Sequence, residues 1–464
     1  MGRTVIHGGL VVNAGDSIRA SVLIEGERIV AVADPESSFV EAFAQGADLV
    51  DATGKYVIPG GIDAHTHMQA EAFNSTASDT FETGTIAAAF GGTTTILDFA
   101  APVPGANSLV EAVDRYHAKA EGQCAVDYGF HVNTRGIDET RLKEMTQLVG
   151  EGITSFKMFT AYPGDWYSTD DQLFRAYRHL GNLGALPMMH AENGIVIDVM
   201  REEAVLRGDT DPVWHSLTRP EAMEAEAVHR CGRLAEVAGS PVYIVHLSSE
   251  PALEEVLRAR ERGVQISAET CPQYLFLDLD HLREPDFGGS KYVCSPPIRD
   301  KRNQNPLWKA LGNRGLATVA TDHCPFCWDQ KELGRDDFRN IPNGIPGVEH
   351  RVEQIYQGVV DGHLSLNRWV EVCSTEVART FGLHPRKGVI TAGADADIVI
   401  FDPHTPHTIS AATHHMANDY SAFEGQSLPG SVETTFLHGR KIVDGGRYLG
   451  TKGDGRFLAR STAA

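Results

Sequence analysis

Eight short apolar segments alternate with helical segments through the middle of the chain. The strand-like segments are residues 56–62, 93–99, 128–132, 155–160, 186–190, 242–247, 264–268 and 318–321. Segments typical of helices lie between them, at 80–89, 109–120, 138–148, 170–180, 221–238, 251–262 and 302–311. Alternation of this kind favours a parallel sheet covered by helices, and eight strands close a (β/α)8 barrel. The sequence therefore predicts an α/β fold with a TIM-like barrel over residues 57–385. A doubly wound open sheet is the alternative, but no dinucleotide-binding fingerprint supports it.

The two ends of the chain share a pattern. Residues 4–15 and 435–446 carry Thr, His, Gly, Val and Gly at corresponding positions, and both stretches alternate apolar runs with glycine turns. Such runs bounded by turns are typical of short β-strands. We expect the segments 1–56 and 386–464 to form one small β-sandwich domain, with the barrel inserted between its two halves.

The charge balance limits the partners of this chain. It has 41 Lys and Arg against 62 Asp and Glu, a formal net charge of −21, which argues against nucleic acid or an anionic membrane as a partner. No apolar run approaches the roughly 18 residues that span a bilayer, and no signal peptide is evident. The seven cysteines are an odd number scattered along a long chain, unlike a disulfide framework. These features predict a cytoplasmic protein.

Residues that bind metals or titrate lie where several predicted strands end. They are His65 and His67 on the first strand, Lys157 on the fourth, His190 on the fifth, His246 on the sixth and Asp322 after the eighth. Because the active site of such a barrel lies at the carboxyl ends of its strands, we expect these side chains to converge. Imidazole nitrogens and carboxylate oxygens suit a divalent metal. Asp63 shares a strand face with both first-strand histidines and is a candidate to orient an imidazole or a bound water.

Lys157 lies inside the apolar run Ser155-Phe156-Lys157-Met158-Phe159, where an unpaired ammonium would cost several kcal/mol. Three interpretations remain open. The ammonium reaches the rim, the desolvated amine forms a Schiff base, or the neutral amine captures carbon dioxide and becomes a carbamate between two cations. Four imidazoles and a carboxylate nearby favour the carbamate, because a Schiff-base enzyme does not need them.

Motifs spread over nearly the whole chain resemble one family. They are residues 57–69, 155–162, 190–193, 246–249, 294–299, 321–325, 343–349, 419–425 and 450–457. Together these segments resemble the dihydropyrimidinase and D-hydantoinase branch of the cyclic amidohydrolases.

The resemblance implies a binuclear metal site. In that arrangement His65, His67 and Asp322 bind one divalent ion, His190 and His246 bind the other, and carboxylated Lys157 bridges both. Zinc is the family's usual metal, although manganese or cobalt would suit the same ligands.

The resemblance also implies a mechanism. A hydroxide shared by the metals attacks the ring carbonyl, Asp322 takes its proton and returns it to the departing nitrogen, and Tyr162 stabilises the developing oxyanion. The backbone at Ser295 and Asn343 binds the edge of the cyclic imide. We expect the exocyclic substituent to lie among apolar side chains, with Met68, Phe73, Phe159 and Trp166 as candidates.

The expected reaction is hydrolysis of 5,6-dihydropyrimidines, such as dihydrouracil and dihydrothymine, to N-carbamoyl-β-amino acids, with 5-monosubstituted hydantoins as further substrates. A hydantoinase or an allantoinase is the alternative. Dihydroorotase is disfavoured, because Gln69 stands where that family has an arginine. A non-catalytic scaffold of the same fold is a further alternative, which the complete ligand set argues against. The relatives imply a homotetramer.

Overall fold

The computed structural model describes residues 2–103, 105 and 107–462. Within these residues one sheet contains eight parallel strands in sequential order. They are β1 (Gly61–Thr66), β2 (Thr93–Ala100), β3 (Asp127–Asn133), β4 (Ser155–Phe159), β5 (Leu186–His190), β6 (Val242–Ile244), β7 (Ile266–Thr270) and β8 (Thr318–Val319). The sheet closes beyond β8, where His323 forms a parallel bridge with Thr66. The backbone carbonyl oxygen of His323 accepts a hydrogen bond from the His67 N–H at 2.8 Å. The predicted barrel is confirmed.

Helices cover the outside of the barrel. The longer ones are Phe81–Phe90, Leu109–Ala120, Glu139–Gly150, Asp170–Asn182, Gly194–Leu206, Glu221–Ala238, Glu250–Glu261, Gln304–Gly312 and Arg351–Val360. Shorter helices are Ser38–Ala44, Trp214–Leu217, Pro272–Phe276, Trp328–Lys331, Leu366–Val370 and Glu376–Thr380, with a π-helical turn at Glu371–Thr375. In the helix Asp170–Asn182, Leu173, Ala176, Tyr177 and Leu180 form the buried stripe that a 3.6-residue period requires. No helix among the described residues is both long and apolar enough to span a membrane.

The two ends of the chain form a β-sandwich, as expected. One sheet contains Arg3–His7, Ser21–Glu25, Arg28–Ala33 and Asp48–Asp51. The other contains Leu10–Val12, Ser17–Arg19, Tyr56–Pro59, Ile398–Asp402, Ser431–Leu437, Arg440–Asp444 and Arg447–Tyr448. Ile6 and Val22 from the first sheet pack against Val57, Ile398 and Phe436 from the second. The chain passes from one sheet to the other at Gly8, whose φ of 80° is accessible to glycine without strain.

The first predicted strand, 56–62, is in fact two strands. Tyr56–Pro59 pairs antiparallel with Ile398–Asp402 in the sandwich, and β1 begins at Gly61. The chain turns at Gly60, where a Cβ would overlap the side chain of Thr94. The apolar pattern is continuous because both strands are buried, so it did not reveal the break. Two further strands end early, β6 at Ile244 and β8 at Val319.

Candidate active site

The carboxyl ends of β1 and β4 and the segment after β8 bring four predicted ligands together. His65 Nε2 and His67 Nε2 each lie 3.1 Å from Oδ1 of Asp322. One potential ligand atom from each of these residues lies within 4.8 Å of the others. Nζ of Lys157 lies 2.9 Å from His65 Nε2.

The other two predicted ligands face each other across the same floor. Nδ1 of His190 lies 3.0 Å from Nε2 of His246, and the rings of His65 and His246 are 5.3 Å apart. Nδ1 of His246 is buried and has no hydrogen-bond partner within the described part of the chain. The structure therefore brings all six predicted side chains into one group at the carboxyl ends of the barrel strands.

This group suits divalent cations. Burial lowers the pKa of His65, His67 and His246, so their imidazoles are neutral and offer lone pairs. Burial also lowers the pKa of Lys157 to about 8, and its amine lies over the Phe99 ring at 4.4 Å. Imidazole and amine nitrogens about 3 Å apart, beside one carboxylate, are the donor set that zinc and similar ions accept.

Two buried glutamates orient the imidazoles. Oε1 of Glu269 lies 2.5 Å from Nδ1 of His65, while its carboxylate also accepts hydrogen bonds from the Tyr243 hydroxyl at 2.9 Å and the His246 N–H at 3.2 Å. Burial raises the pKa of Glu269 to about 8. Carboxylates that hold a metal-binding imidazole by its second nitrogen fix its direction. Its position at the end of β7 is the signal in the sequence that could have identified this residue.

Glu192 plays the corresponding part for His190, with Oε2 2.8 Å from Nε2 of the imidazole. Burial alone would raise the pKa of Glu192, but the Arg219 guanidinium and the bond to His190 hold it at about 2. This residue belongs to the 190–193 motif, although sequence reasoning assigned it no role.

Asp63 does not orient an imidazole, contrary to the expectation. Its carboxylate accepts hydrogen bonds from the backbone N–H groups of His65 at 3.2 Å and Thr321 at 3.1 Å, and from the Thr321 hydroxyl at 2.6 Å. Arg351 lies beside it at 3.6 Å. Asp63 therefore ties β1 to the segment that closes the barrel, because its side chain turns along the strand towards the backbone.

The predicted substrate-binding residues line the mouth above this group. Nδ2 of Asn343 donates to Oγ of Ser295 at 3.0 Å, so the two loops touch through their side chains. The ring of Tyr162 lies 5.3 Å from that of His190, and burial raises the pKa of its hydroxyl to about 12. The phenol therefore keeps its proton and can donate it in a hydrogen bond.

Three of the predicted metal-binding and catalytic residues have left-handed backbone. The φ angles are 60° at Tyr162, 39° at His246 and 52° at Asp322. Such conformations cost side-chain-bearing residues about 1–3 kcal/mol each, and they collect at functional sites. β6 ends two residues before His246 and β8 ends three residues before Asp322, so both side chains lie beyond the strands, where they line the cavity.

A cavity of about 740 Å³ opens above the six side chains. Phe73, Phe159 and Trp166 line it, as expected. Met68 does not, and this expectation is wrong: the side chain is fully buried in the hydrophobic core and packs over Gly84. Because the chain alternates direction along β1 and just beyond it, the position next to His67 turns away from the cavity.

Charged side chains also line the cavity, which the apolar expectation missed. The guanidinium groups belong to Arg115, Arg135, Arg201, Arg219 and Arg339. Arg135 lies 4.0 Å above the Trp166 ring and is paired with Asp165 at 2.7 Å. Arg219 is only 3% exposed, and its one ion pair among the described residues is a 3.9 Å approach to Glu192. No local pattern marks these arginines, since they come from separate loops and helices.

Comparison with known proteins relates the whole chain to one group of enzymes. The model of the amidohydrolase family matches residues 56–442. A D-hydantoinase of Streptomyces coelicolor is 54% identical over 99% of this chain and 98% of its own length. A dihydropyrimidinase of Arabidopsis thaliana is 41% identical over 98% of this chain and 85% of its own length. The crystal structure of a dihydropyrimidinase from Brevibacillus agri is 45% identical, with a TM-score of 0.96 over 100% of this chain and 99% of that one.

Proposed function

The chain belongs to the amidohydrolase family, and from that premise we propose that it is a metal-dependent hydrolase that opens the rings of cyclic amides. Its proposed substrates are 5,6-dihydropyrimidines and 5-monosubstituted hydantoins, which yield N-carbamoyl amino acids. The observation that carries this proposal is the convergence of four imidazoles, an amine of lowered pKa and a carboxylate beneath one cavity. The D-hydantoinase and dihydropyrimidinase relatives support the same reaction.

The proposed ligand assignment follows the two groups of contacts. His65, His67 and Asp322 hold one divalent ion, His190 and His246 hold a second, and carboxylated Lys157 is a ligand to both. Zinc is the proposed metal because the donors are nitrogen and oxygen. When bound, the ions supply Lewis-acid activation of the attacking water and of the ring carbonyl.

The chain's own residues move the proton. The Asp322 carboxylate accepts a proton from the attacking water, whose oxygen forms the new bond to the ring carbonyl carbon. The Tyr162 hydroxyl donates a hydrogen bond to the carbonyl oxygen as negative charge develops there. Asp322 then delivers the proton to the ring nitrogen as the carbon–nitrogen bond breaks. The product carries a carboxylate at the former carbonyl carbon and a carbamoyl group on the remaining nitrogen.

The ring is proposed to bind against the backbone at Ser295 and Asn343, since both residues line the cavity and main-chain groups in loops are free to bind ligands. A buried lysine supports both loops: Nζ of Lys331 donates to the carbonyl oxygens of Val293 at 3.1 Å, Pro342 at 2.7 Å and Gly344 at 2.9 Å. This ammonium fixes the spacing of the two loops, and so the positions of the groups that read the ring.

The size of the cavity supports substrates with a large substituent at C5. Its volume of about 740 Å³ exceeds what a bare dihydrouracil ring fills, and Phe73, Phe159 and Trp166 provide aromatic surface for a substituent. We therefore propose that 5-aryl hydantoins are turned over as well as dihydropyrimidines.

Initial rates on dihydrouracil, 5-phenylhydantoin, allantoin and dihydroorotate test the proposal. We expect turnover of the first two and little turnover of the last two. Fastest turnover of allantoin would assign the protein to the alternative allantoinase class. Zero turnover of every ring by metal-loaded protein would support the scaffold alternative and overturn the proposal.

We further propose that the protein is a homotetramer, as the resemblance implies. We also propose that it is cytoplasmic, as its composition predicts. Light scattering on the eluting peak of a size-exclusion column tests the assembly, with about four times the chain mass of 50.4 kDa expected. A monomer mass at micromolar concentration would contradict the tetramer.

A further inference from the structure

A second cavity, of about 380 Å³, lies beside the start of the helix Arg351–Val360 and shares no lining residue with the active-site cavity. His350, Glu353 and His407 line it. Each offers one ligand atom, and the three atoms lie within 4.8 Å of one another. His350 and Glu353 are three residues apart at the helix start, which places them on one face. His407 comes from the strand His407–Thr408, far away in sequence.

The His350 side chain is buried against this cavity. It is 6% exposed, and neither of its ring nitrogens has a hydrogen-bond partner within the described residues. Nδ1 of His407 and Nδ1 of His414, which lines the same cavity, are likewise buried without a partner. Buried polar groups are normally hydrogen-bonded. An imidazole with two unused nitrogens against a cavity therefore indicates a ligand that the protein itself does not supply.

The spacing of the three ligand atoms approaches that of a metal site. Oε2 of Glu353 lies 3.3 Å from Nε2 of His407 and 4.0 Å from Nδ1 of His350. Donors around a tetrahedral zinc ion lie about 3.4 Å apart. The other carboxylate oxygen, Oε1, accepts a hydrogen bond from the Val432 N–H at 2.8 Å. That bond orients the carboxylate and leaves Oε2 for a cation.

A salt bridge alone does not explain the cluster. An ion pair between Glu353 and His407 would account for two of the three groups but leave His350 buried without a partner. A second acidic cluster shows the contrast. Asp127, Asp395 and Asp397 also converge, but the Lys387 ammonium lies between them, 2.5 Å from Asp127 and 3.0 Å from Asp395. Lys387 neutralises that cluster, whereas no group among the described residues hydrogen-bonds to either ring nitrogen of His350.

We propose that His350, Glu353 and His407 bind a divalent metal ion of the zinc class, separate from the ions at the barrel mouth. Two imidazoles and one carboxylate are the ligands that zinc accepts, and His414 is a further nitrogen donor at this cavity. The ion joins the helix Arg351–Val360 to the strand His407–Thr408. Its role is structural, because its cavity shares no lining residue with the active-site cavity.

Zinc content measures this site directly. The holoenzyme and the variants His407→Gln and His350→Gln are loaded with Zn²⁺ alone, passed through a desalting column in metal-free buffer, and analysed by mass spectrometry of the metal. We expect each variant to hold one zinc ion per chain fewer than the wild type, with the rate on 5-phenylhydantoin unchanged. His404→Gln is the matched control, because His404 is exposed in the same segment and lines neither cavity.

Anomalous scattering at the zinc edge gives a second readout that does not depend on any variant. A peak between His350, Glu353 and His407 is expected in crystals of the wild-type holoenzyme. Equal zinc content in the wild type and both folded variants, or the absence of a peak there in zinc-loaded crystals, would overturn the proposal. Neither result bears on the barrel site, whose metal content and activity are measured separately.

Discussion

Nζ of Lys157 lies 2.9 Å from Nε2 of His65, so an amine and a neutral imidazole face each other in the buried part of the active site. The amine is 3% exposed and burial lowers its pKa to about 8. An uncharged amine is the form that adds to carbon dioxide, and the carbamate it forms is anionic. Such an anion between two groups of imidazoles would offset part of the charge of two divalent cations, which neutral imidazoles cannot do.

Tyr162→Phe tests the hydrogen bond to the carbonyl oxygen. The variant removes one hydroxyl above the metal ligands, so we expect full metal content with kcat lowered by about 10²–10³-fold. Tyr167→Phe is the matched control, because Tyr167 is near in sequence but does not line the cavity. An unchanged kcat in Tyr162→Phe would remove this residue from the mechanism.

Glu269→Gln tests the orientation of the imidazoles. The amide has only one accepting oxygen, whereas both carboxyl oxygens of Glu269 make contacts, one with His65 and the His246 N–H and the other with the Tyr243 hydroxyl. Outer partners of this kind typically change metal affinity by about 10–100-fold. We expect weaker metal binding, measured by competition with a chelator of known affinity. Glu254→Gln, on the exposed face of the helix Glu250–Glu261, should bind metal as the wild type does. Wild-type affinity in Glu269→Gln would contradict the assignment.

Lys331→Met tests the support of the substrate loops. The substitution keeps most of the side-chain volume but leaves three buried carbonyl oxygens without their donor, at about 1–3 kcal/mol for each oxygen. We expect a lower melting temperature and a KM raised by about tenfold or more, since the loops carry Ser295 and Asn343. The exposed Lys309 provides the control, Lys309→Met. A lower melting temperature with unchanged KM would mean that Lys331 stabilises the fold without positioning the ring.

Much of the fold follows from local patterns. The strand at 186–190 and the helices at 109–120 and 221–238 have the bounds that the sequence predicts. Their apolar periodicity is regular, and turn residues delimit them clearly. The six candidate ligands could be placed because a parallel barrel gathers all its strand ends at one edge, whatever the loops do.

The rest of the site depends on contacts that no local pattern encodes. Glu269 and Lys331 act through groups that are distant in sequence, such as His65 and the carbonyl of Val293, so their roles require the folded barrel. The apolar run 56–62 gives no sign of the strand break at Gly60. Its two halves belong to two different sheets, and both halves are buried. Met68 follows His67 in the sequence, which suggests a residue of the substrate pocket. Only the direction of its side chain in the folded protein shows that it lies in the core instead.

The most direct test of the account is the metal content of Lys157→Ala, measured together with its initial rate on 5-phenylhydantoin. If carboxylated Lys157 is a ligand to both ions, the variant loses two metal ions per chain relative to the wild type, and its rate falls to background. Lys143→Ala, at an exposed lysine, retains both metal and rate. A folded Lys157→Ala protein with wild-type metal content and near wild-type rate would contradict the account.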